Sequence, residues 1–221
     1  MKKVNQMSES IRLGMLLAIS GGFMDAYSYI ERDHVFANAQ TGNILLFGVH
    51  LSEGDWIMAV RYFFPVLAFV LGIAVAEAVR TYNTPKLHWR QISVLVEAVI
   101  LAGVAFIPLS MNLFANALTS FACGVQVESF RKIRGSGIAT TMCIGNLRSA
   151  TQNFMDYWKT RDREKLEQSV LYYGIILCFV LGAVGGNLLI SFWGQRAILC
   201  CSLMLLVVFF IMFIDYERGK E

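Results

Sequence analysis

Two short polar runs hold the residues most able to do chemistry. The first comprises Asn38, Gln40, Thr41, Gly42 and Asn43, and the second Thr141, Gly145 and Asn146, with Gly145-Asn146 lying 103 positions after Gly42-Asn43. Each run lies between apolar segments and leads into one too short to cross a bilayer as a helix. A helix that begins inside a membrane leaves its first N–H groups without partners and presents a positive dipole end. Thr41 and Asn43 are residue types that cap such an end, and Gly42 lets a ligand approach the backbone closely. The pattern points to two re-entrant half-helices facing a shared site for an anionic or polar group. The structural alternative is that Asn and Thr satisfy the broken backbone, which any re-entrant turn requires.

Two carboxylates stand at matching distances from these runs. Asp25 and Glu128 each precede the Asn of Gly-Asn by eighteen positions, and each lies within an apolar segment. A carboxylate there costs roughly 2.5–3.5 kcal/mol on insertion scales, so it is rarely idle. Proton or cation coupling is the functional reading. A structural hydrogen bond to the re-entrant backbone is the other, or for Glu128 a pair with Arg131 one turn on. Glu77, close to Arg80, reads as an interfacial pair. Glu97 lies inside a further span with its role open. Arg148, on the second short segment, suits either a substrate anion or an internal pair with Glu128.

The elements that must position these groups are membrane helices. Of 221 residues, 56% are hydrophobic and 16% charged, where a soluble domain carries about 25% charged. Mean hydropathy is +0.55. Apolar blocks run at about 11–30, 56–78, 92–107 with flanks, 113–130, 169–190 and 197–214, and the two short segments end near Leu51 and Tyr157. Arg148, Gln152 and Asn153 make the second short segment a poor candidate to face lipid. No cleavable signal peptide is expected, because the first block holds Asp25 and lacks a small-x-small site.

Loop charge fixes the expected topology. Lys2, Lys3 and Arg12 form one basic group, and Arg80, Lys86 and Arg90 a second, beside Pro85. Arg131, Lys132 and Arg134 form a third, and Lys159, Arg161, Arg163 and Lys165 a fourth; Arg218 and Lys220 close the chain. If both short segments dip in and return, every group falls on the cytoplasmic side, leaving only Arg32, Arg61 and Arg196 opposite. If both cross, the second and third groups move outside, against the positive-inside tendency. The expectation is an all-α integral membrane protein of six transmembrane helices plus two re-entrant half-helices, with both termini cytoplasmic.

The halves also resemble each other. Shifted by 103, Gly21 meets Gly124, Asp25 meets Glu128 and Gly42-Asn43 meets Gly145-Asn146; Phe69–Gly72 later matches Phe179–Gly182. Each half then has three crossings and one re-entrant piece, which makes the repeats inverted in topology, a common transporter plan. The chain reads as one membrane domain, 1–221, with repeat 1 about 9–110 and repeat 2 about 111–216. Gly72, Gly182, Gly185 and Gly186 read as helix-packing surfaces.

Gly22-Phe23-Met24-Asp25-Ala26, then Val35-Phe36, then Thr41-Gly42-Asn43 resembles the signature of the YoaK-like bacterial membrane proteins, a multi-pass domain of unknown function. That resemblance covers most of the chain. It implies a six-span protein of the bacterial inner membrane and supplies no activity. Second halves in that family often carry Thr before Gly-Asn; here Ile144 stands in its place.

Several classes are argued against. His34, His50 and His88 are scattered and offer no metal spacing, and five cysteines give no disulfide framework. No nucleophile elbow, P-loop or dinucleotide fingerprint is present, so neither an enzyme nor an ATP-driven pump is expected, nor a cofactor. The reading is a secondary transporter or channel-like carrier of a small polar or charged solute, possessing a site between half-helix N-termini. The alternative is a non-transport membrane protein: a lipid-binding component, a partner subunit or a membrane enzyme. Expected partners are the bilayer and a small solute, with homodimer formation open and no nucleic acid.

Overall fold

The computed structural model describes residues 10–81, 89–133 and 136–218, with the backbone alone for 213–218. Lys2, Lys3, Pro85, Lys86, Arg134 and Lys220, all used in the charge argument, lie outside the described residues, as do both chain ends and the Arg218 side chain. Helix accounts for 86% of the structure. In order the helices are α1 Ile11–Glu31, α2 Gln40–Glu53, α3 Trp56–Thr81, α4 Trp89–Val104, α5 Asn112–Ser129, α6 Cys143–Thr160, α7 Arg163–Trp193 and α8 Ile198–Arg218. No strand occurs among the described residues.

Local sequence sets the helix ends. Ser10 caps α1 by accepting from Leu13 N at 3.2 Å, and Asp162 caps α7 by accepting from Glu164 N at 2.9 Å. Gly54, at φ 75°, closes α2 in the left-handed conformation that glycine adopts without steric cost.

Three apolar helical stretches are long enough to cross a membrane: Ile11–Glu31, Trp56–Thr81 and Arg163–Met212. The last contains α7 and α8, joined by the 3-10 turn Gly194–Ala197. The sequence suggested six spans. In the structure α4 has 16 residues, and α5 is polar along much of its buried surface, at Asn116, Thr119, Ser120, Gln126 and Ser129. Helices that face other helices have no need of a continuous apolar surface. Large apolar side chains instead crowd the exterior, among them Ile57, Val99, Leu203 and Phe210. An exposed apolar surface of that extent suits lipid contact.

α1 packs along α7 and α3 along α5, while α2 lies on α3, α6 on α7 and α4 on α8. At two of these contacts only glycine fits. A Cβ on Gly22 of α1 would strike Phe179 O of α7, and one on Gly182 of α7 would strike Ile19 O of α1. A Cβ on Gly124 of α5 would strike Phe69 O of α3, and one on Gly72 of α3 would strike Phe121 O of α5. The two interfaces therefore correspond residue by residue.

That correspondence corrects the register read from the sequence. Ile19 matches Phe121 and Gly22 matches Gly124, both at 102 positions, whereas the Gly-Asn pairs are 103 apart. The stretch from Gly124 to Gly145 is thus one residue longer than that from Gly22 to Gly42. Asp25 corresponds to Val127, and Glu128 to Ala26. One residue is about 100° around a helix, so the two carboxylates point in different directions.

α6 likewise differs from expectation. It buries Asn146 and Ala150 yet leaves Ile144, Leu147, Phe154 and Trp158 exposed beside Arg148 and Gln152. It packs by one face on α7, with the rest turned outward.

Candidate functional site

Asp25 organises the first polar run. Its Oδ1 accepts from Asn38 N at 2.7 Å, and the backbone N–H groups of Ala37 and Ala39 also donate to the carboxylate. The Asn38 amide donates to Gly21 O at 3.1 Å, one turn back on α1. Asn43 holds the loop shut: Oδ1 accepts from Phe36 N at 3.0 Å, and Nδ2 donates to Phe36 O at 2.7 Å. Gln40 Oε1 accepts from Asn43 Nδ2 at 2.9 Å, and its Nε2 donates to Ala37 O at 2.7 Å. The backbone opened by the interrupted helix is therefore satisfied by Asp25, Gln40 and Asn43.

The second run repeats part of this device. Asn146 Nδ2 donates to Ala139 O at 2.7 Å, again seven residues upstream. Gln126 of α5 donates through Nε2 to Thr140 Oγ1 at 3.2 Å and to Leu17 O of α1 at 3.1 Å. Thr141 packs its methyl group directly against Gly21. Cys143, the first residue of α6, lies within electrostatic reach of Asp25.

Both loops thus meet on one face of α1. Leu17, Gly21 and Asp25 are spaced four apart, and each is engaged by a loop residue or by Gln126. The structure brings together Asp25, Asn38, Gln40, Asn43 and Thr141, with Asn146 holding the second loop in place.

Other expected site residues lie elsewhere. Thr41 is exposed on α2, whose N-terminus has no side-chain cap at Ala39, so Thr41 is not the capping residue. The group that approaches Gly42 is the Phe36 ring, whose Cε2 would lie 2.7 Å from an added Cβ. Gly145 faces open space. Glu128 pairs with Arg131 at 2.6 Å, and Arg131 reaches on to Glu77 at 3.2 Å, itself paired with Arg80 at 3.1 Å. Glu128 thus belongs to a charge cluster at the ends of α3 and α5, away from Asp25.

Three central features were not foreseen. Glu97 of α4 is 0% exposed, and neither carboxyl oxygen has a hydrogen-bond partner. The Cys123 thiol lies within reach of Asp25, Asn38, Glu97 and Cys201, and Ser20 Oγ sits 3.0 Å from Cys201 Sγ. Arg32, at the C-cap of α1, is also 0% exposed. It donates from Nε to Tyr27 OH at 2.9 Å, from NH1 to Asn112 Oδ1 at 3.0 Å, and from NH2 to Val104 O at 3.0 Å and Ile107 O at 2.9 Å. Nothing in the sequence marked Arg32 beyond its charge; in the structure Asn116 Nδ2 also donates to Arg32 O at 2.7 Å. A crevice of about 500 Å³ lined by Asp33, Trp56, Arg61, Ser110 and Asn112 holds none of the expected site residues.

An all-helical bundle with a lipid-compatible exterior and a polar centre under interrupted helices defines an integral membrane protein. Residues 13–211 match the family described as "Protein of unknown function (DUF1275)", and the chain belongs to that family. It is also similar to the UPF0700 transmembrane protein YoaK of Bacillus subtilis (strain 168), at 25% identity over 182 residues, covering 76% of this chain and 79% of that one. No solved structure matches.

Proposed function

We propose that this chain is a secondary transporter or channel-like carrier for a small polar or charged solute. In this reading α2 and α6 are re-entrant, the remaining six helices are spans, and the two halves are inverted-topology repeats with both termini cytoplasmic. One observation carries it. Two polar loops, each opening a short helix, converge on the buried Gly21 and the half-buried Asp25 of α1. Loops at membrane depth are tolerated where they are buried in protein or line a path for polar species. The matching glycine contacts of α1 on α7 and of α5 on α3 support the repeat.

The test is flux. Purified protein reconstituted in vesicles is challenged with radiolabelled small cations, anions and amino acids under imposed gradients. Uptake above protein-free vesicles that falls in Asp25→Asn is the expected result. Absence of flux for every class, with folded protein, overturns the carrier reading in favour of a non-transport membrane component.

A further inference from the structure

We infer that the centre of this bundle binds a small monovalent cation, between Asp25 and Glu97, and not an anion. The inference rests on the carrier reading for its purpose but not for its chemistry. Half-helix N-termini would by themselves favour an anion. Here, however, the loop N–H groups at the entry to α2 are occupied by Asp25, whose carboxylate already fills the anion's place.

What remains at the centre is a surplus of acceptors. Asn38 Oδ1, Thr141 Oγ1 and Gln126 Oε1 are buried without hydrogen-bond partners, in residues 6%, 5% and 0% exposed. Both oxygens of Glu97 are in the same condition. Asn38 and Thr141 meet on Gly21, one turn from Asp25. Glu97 and Asp25 both act electrostatically on the one thiol of Cys123, whose Sγ lies 3.6 Å from Sδ of Met24, the residue before Asp25 on α1. Among the described residues no Lys or Arg forms an ion pair with Asp25 or Glu97. Arg32 is fully engaged with Tyr27, Asn112 and carbonyls at the end of α4.

Buried polar oxygens require donors or a cation. Oxygen ligands from carboxyl, amide and hydroxyl groups suit a hard cation or an ammonium group. Glu97, which the sequence could not assign, is thereby the second acidic group of the centre, in place of Glu128.

Thermal unfolding of the detergent-purified protein tests this. Sodium, potassium, ammonium and choline chlorides are titrated at constant ionic strength, balanced with N-methylglucamine chloride. In parallel, sodium is held fixed while chloride is exchanged for formate, sulfate or phosphate. The expected result is a saturable rise in melting temperature that depends on the cation and is indifferent to the anion. Sodium and ammonium arms separate an inorganic ligand from an amine. Thr141→Val keeps the packing on Gly21 and removes one ligand oxygen, so it should weaken apparent affinity at least tenfold. Glu97→Gln should abolish the shift while the protein elutes as a single folded species. A shift that follows the anion overturns the inference, as do flat titrations in the wild type or an unchanged cation response in folded Thr141→Val and Glu97→Gln. Cation binding without flux would overturn the carrier reading alone, and anion flux without cation binding would overturn the cation inference alone.

Discussion

Asp25 accepts hydrogen bonds from loop N–H groups, that of the buried Asn38 among them, so its loss is first a matter of backbone. Replacement by Ala leaves the N–H groups of buried Ala37 and Asn38 without their acceptor, at about 1–3 kcal/mol each. Asp25→Ala should therefore lower the melting temperature in detergent far more than Asp25→Asn, which retains an acceptor oxygen; equal losses would mean that the loop hydrogen bonds contribute little. Gly42 needs its lack of a side chain for the Phe36 ring, which stacks on Tyr29 at 5.1 Å. Gly42→Ala should cost about 1–3 kcal/mol by overpacking, and Gly42→Ala combined with Phe36→Ala should cost less than the sum of the two single changes, as read from the melting temperatures. Additive losses would mean that the ring does not limit Gly42. The loop residues were legible because polar side chains inside apolar runs are conspicuous. Their roles were less so: Asn43 closes its own loop, Thr41 is exposed, and both facts depend on a turn geometry that residue types do not specify.

The contacts between α1 and α7 and between α3 and α5 are backbone against backbone, so a single methyl group separates tolerated from disruptive substitutions. Gly22→Val should abolish recovery of folded protein, because its Cβ would land on Phe179 O. Gly145→Ala has open space around it and gains up to about 1 kcal/mol of helix propensity. It should melt at or above the wild-type temperature; a large destabilisation there would mean that Gly145 is packed. Sequence comparison exposed the likeness of the halves but set their register one residue off. Gly21-Gly22 offers two glycines to one, Gly124, and only the packing shows that Gly22 is the partner. The same limit applied to Glu97. Its place in an apolar segment was plain, but periodicity in so apolar a run does not say which face is interior. Arg32, counted simply as a charge beyond α1, in fact ties α1 to the end of α4, where carbonyl groups without helical partners favour a cation.

At the scale of the whole molecule the outstanding matter is direction across the membrane. An apolar exterior was legible from composition, since 56% of the residues are hydrophobic and only 16% charged, more apolar side chains than an interior can hold. Orientation rests on basic residues, several of which lie outside the described structure. Two exposed turns offer opposite ends to test. Ser110, in the α4–α5 turn, is exposed, and so is Arg161, which closes α6. Arg161 sits among Lys159, Arg163 and Lys165, the strongest basic group in the chain, and the positive-inside tendency gives the expectation that this group is cytoplasmic. The α4–α5 turn carries no charge between Pro108 and Asn112 and should lie opposite. Asn112 itself is buried against Arg32 and is unsuitable for labelling. Ser110→Cys in intact cells should react with a membrane-impermeant maleimide above the background of the native cysteines, of which Cys123 and Cys201 are buried. Arg161→Cys should react only in inverted or permeabilised membranes. The opposite pattern would invert the molecule. Labelling of both sites from one side would place these turns together and require that the number of crossings between them be even.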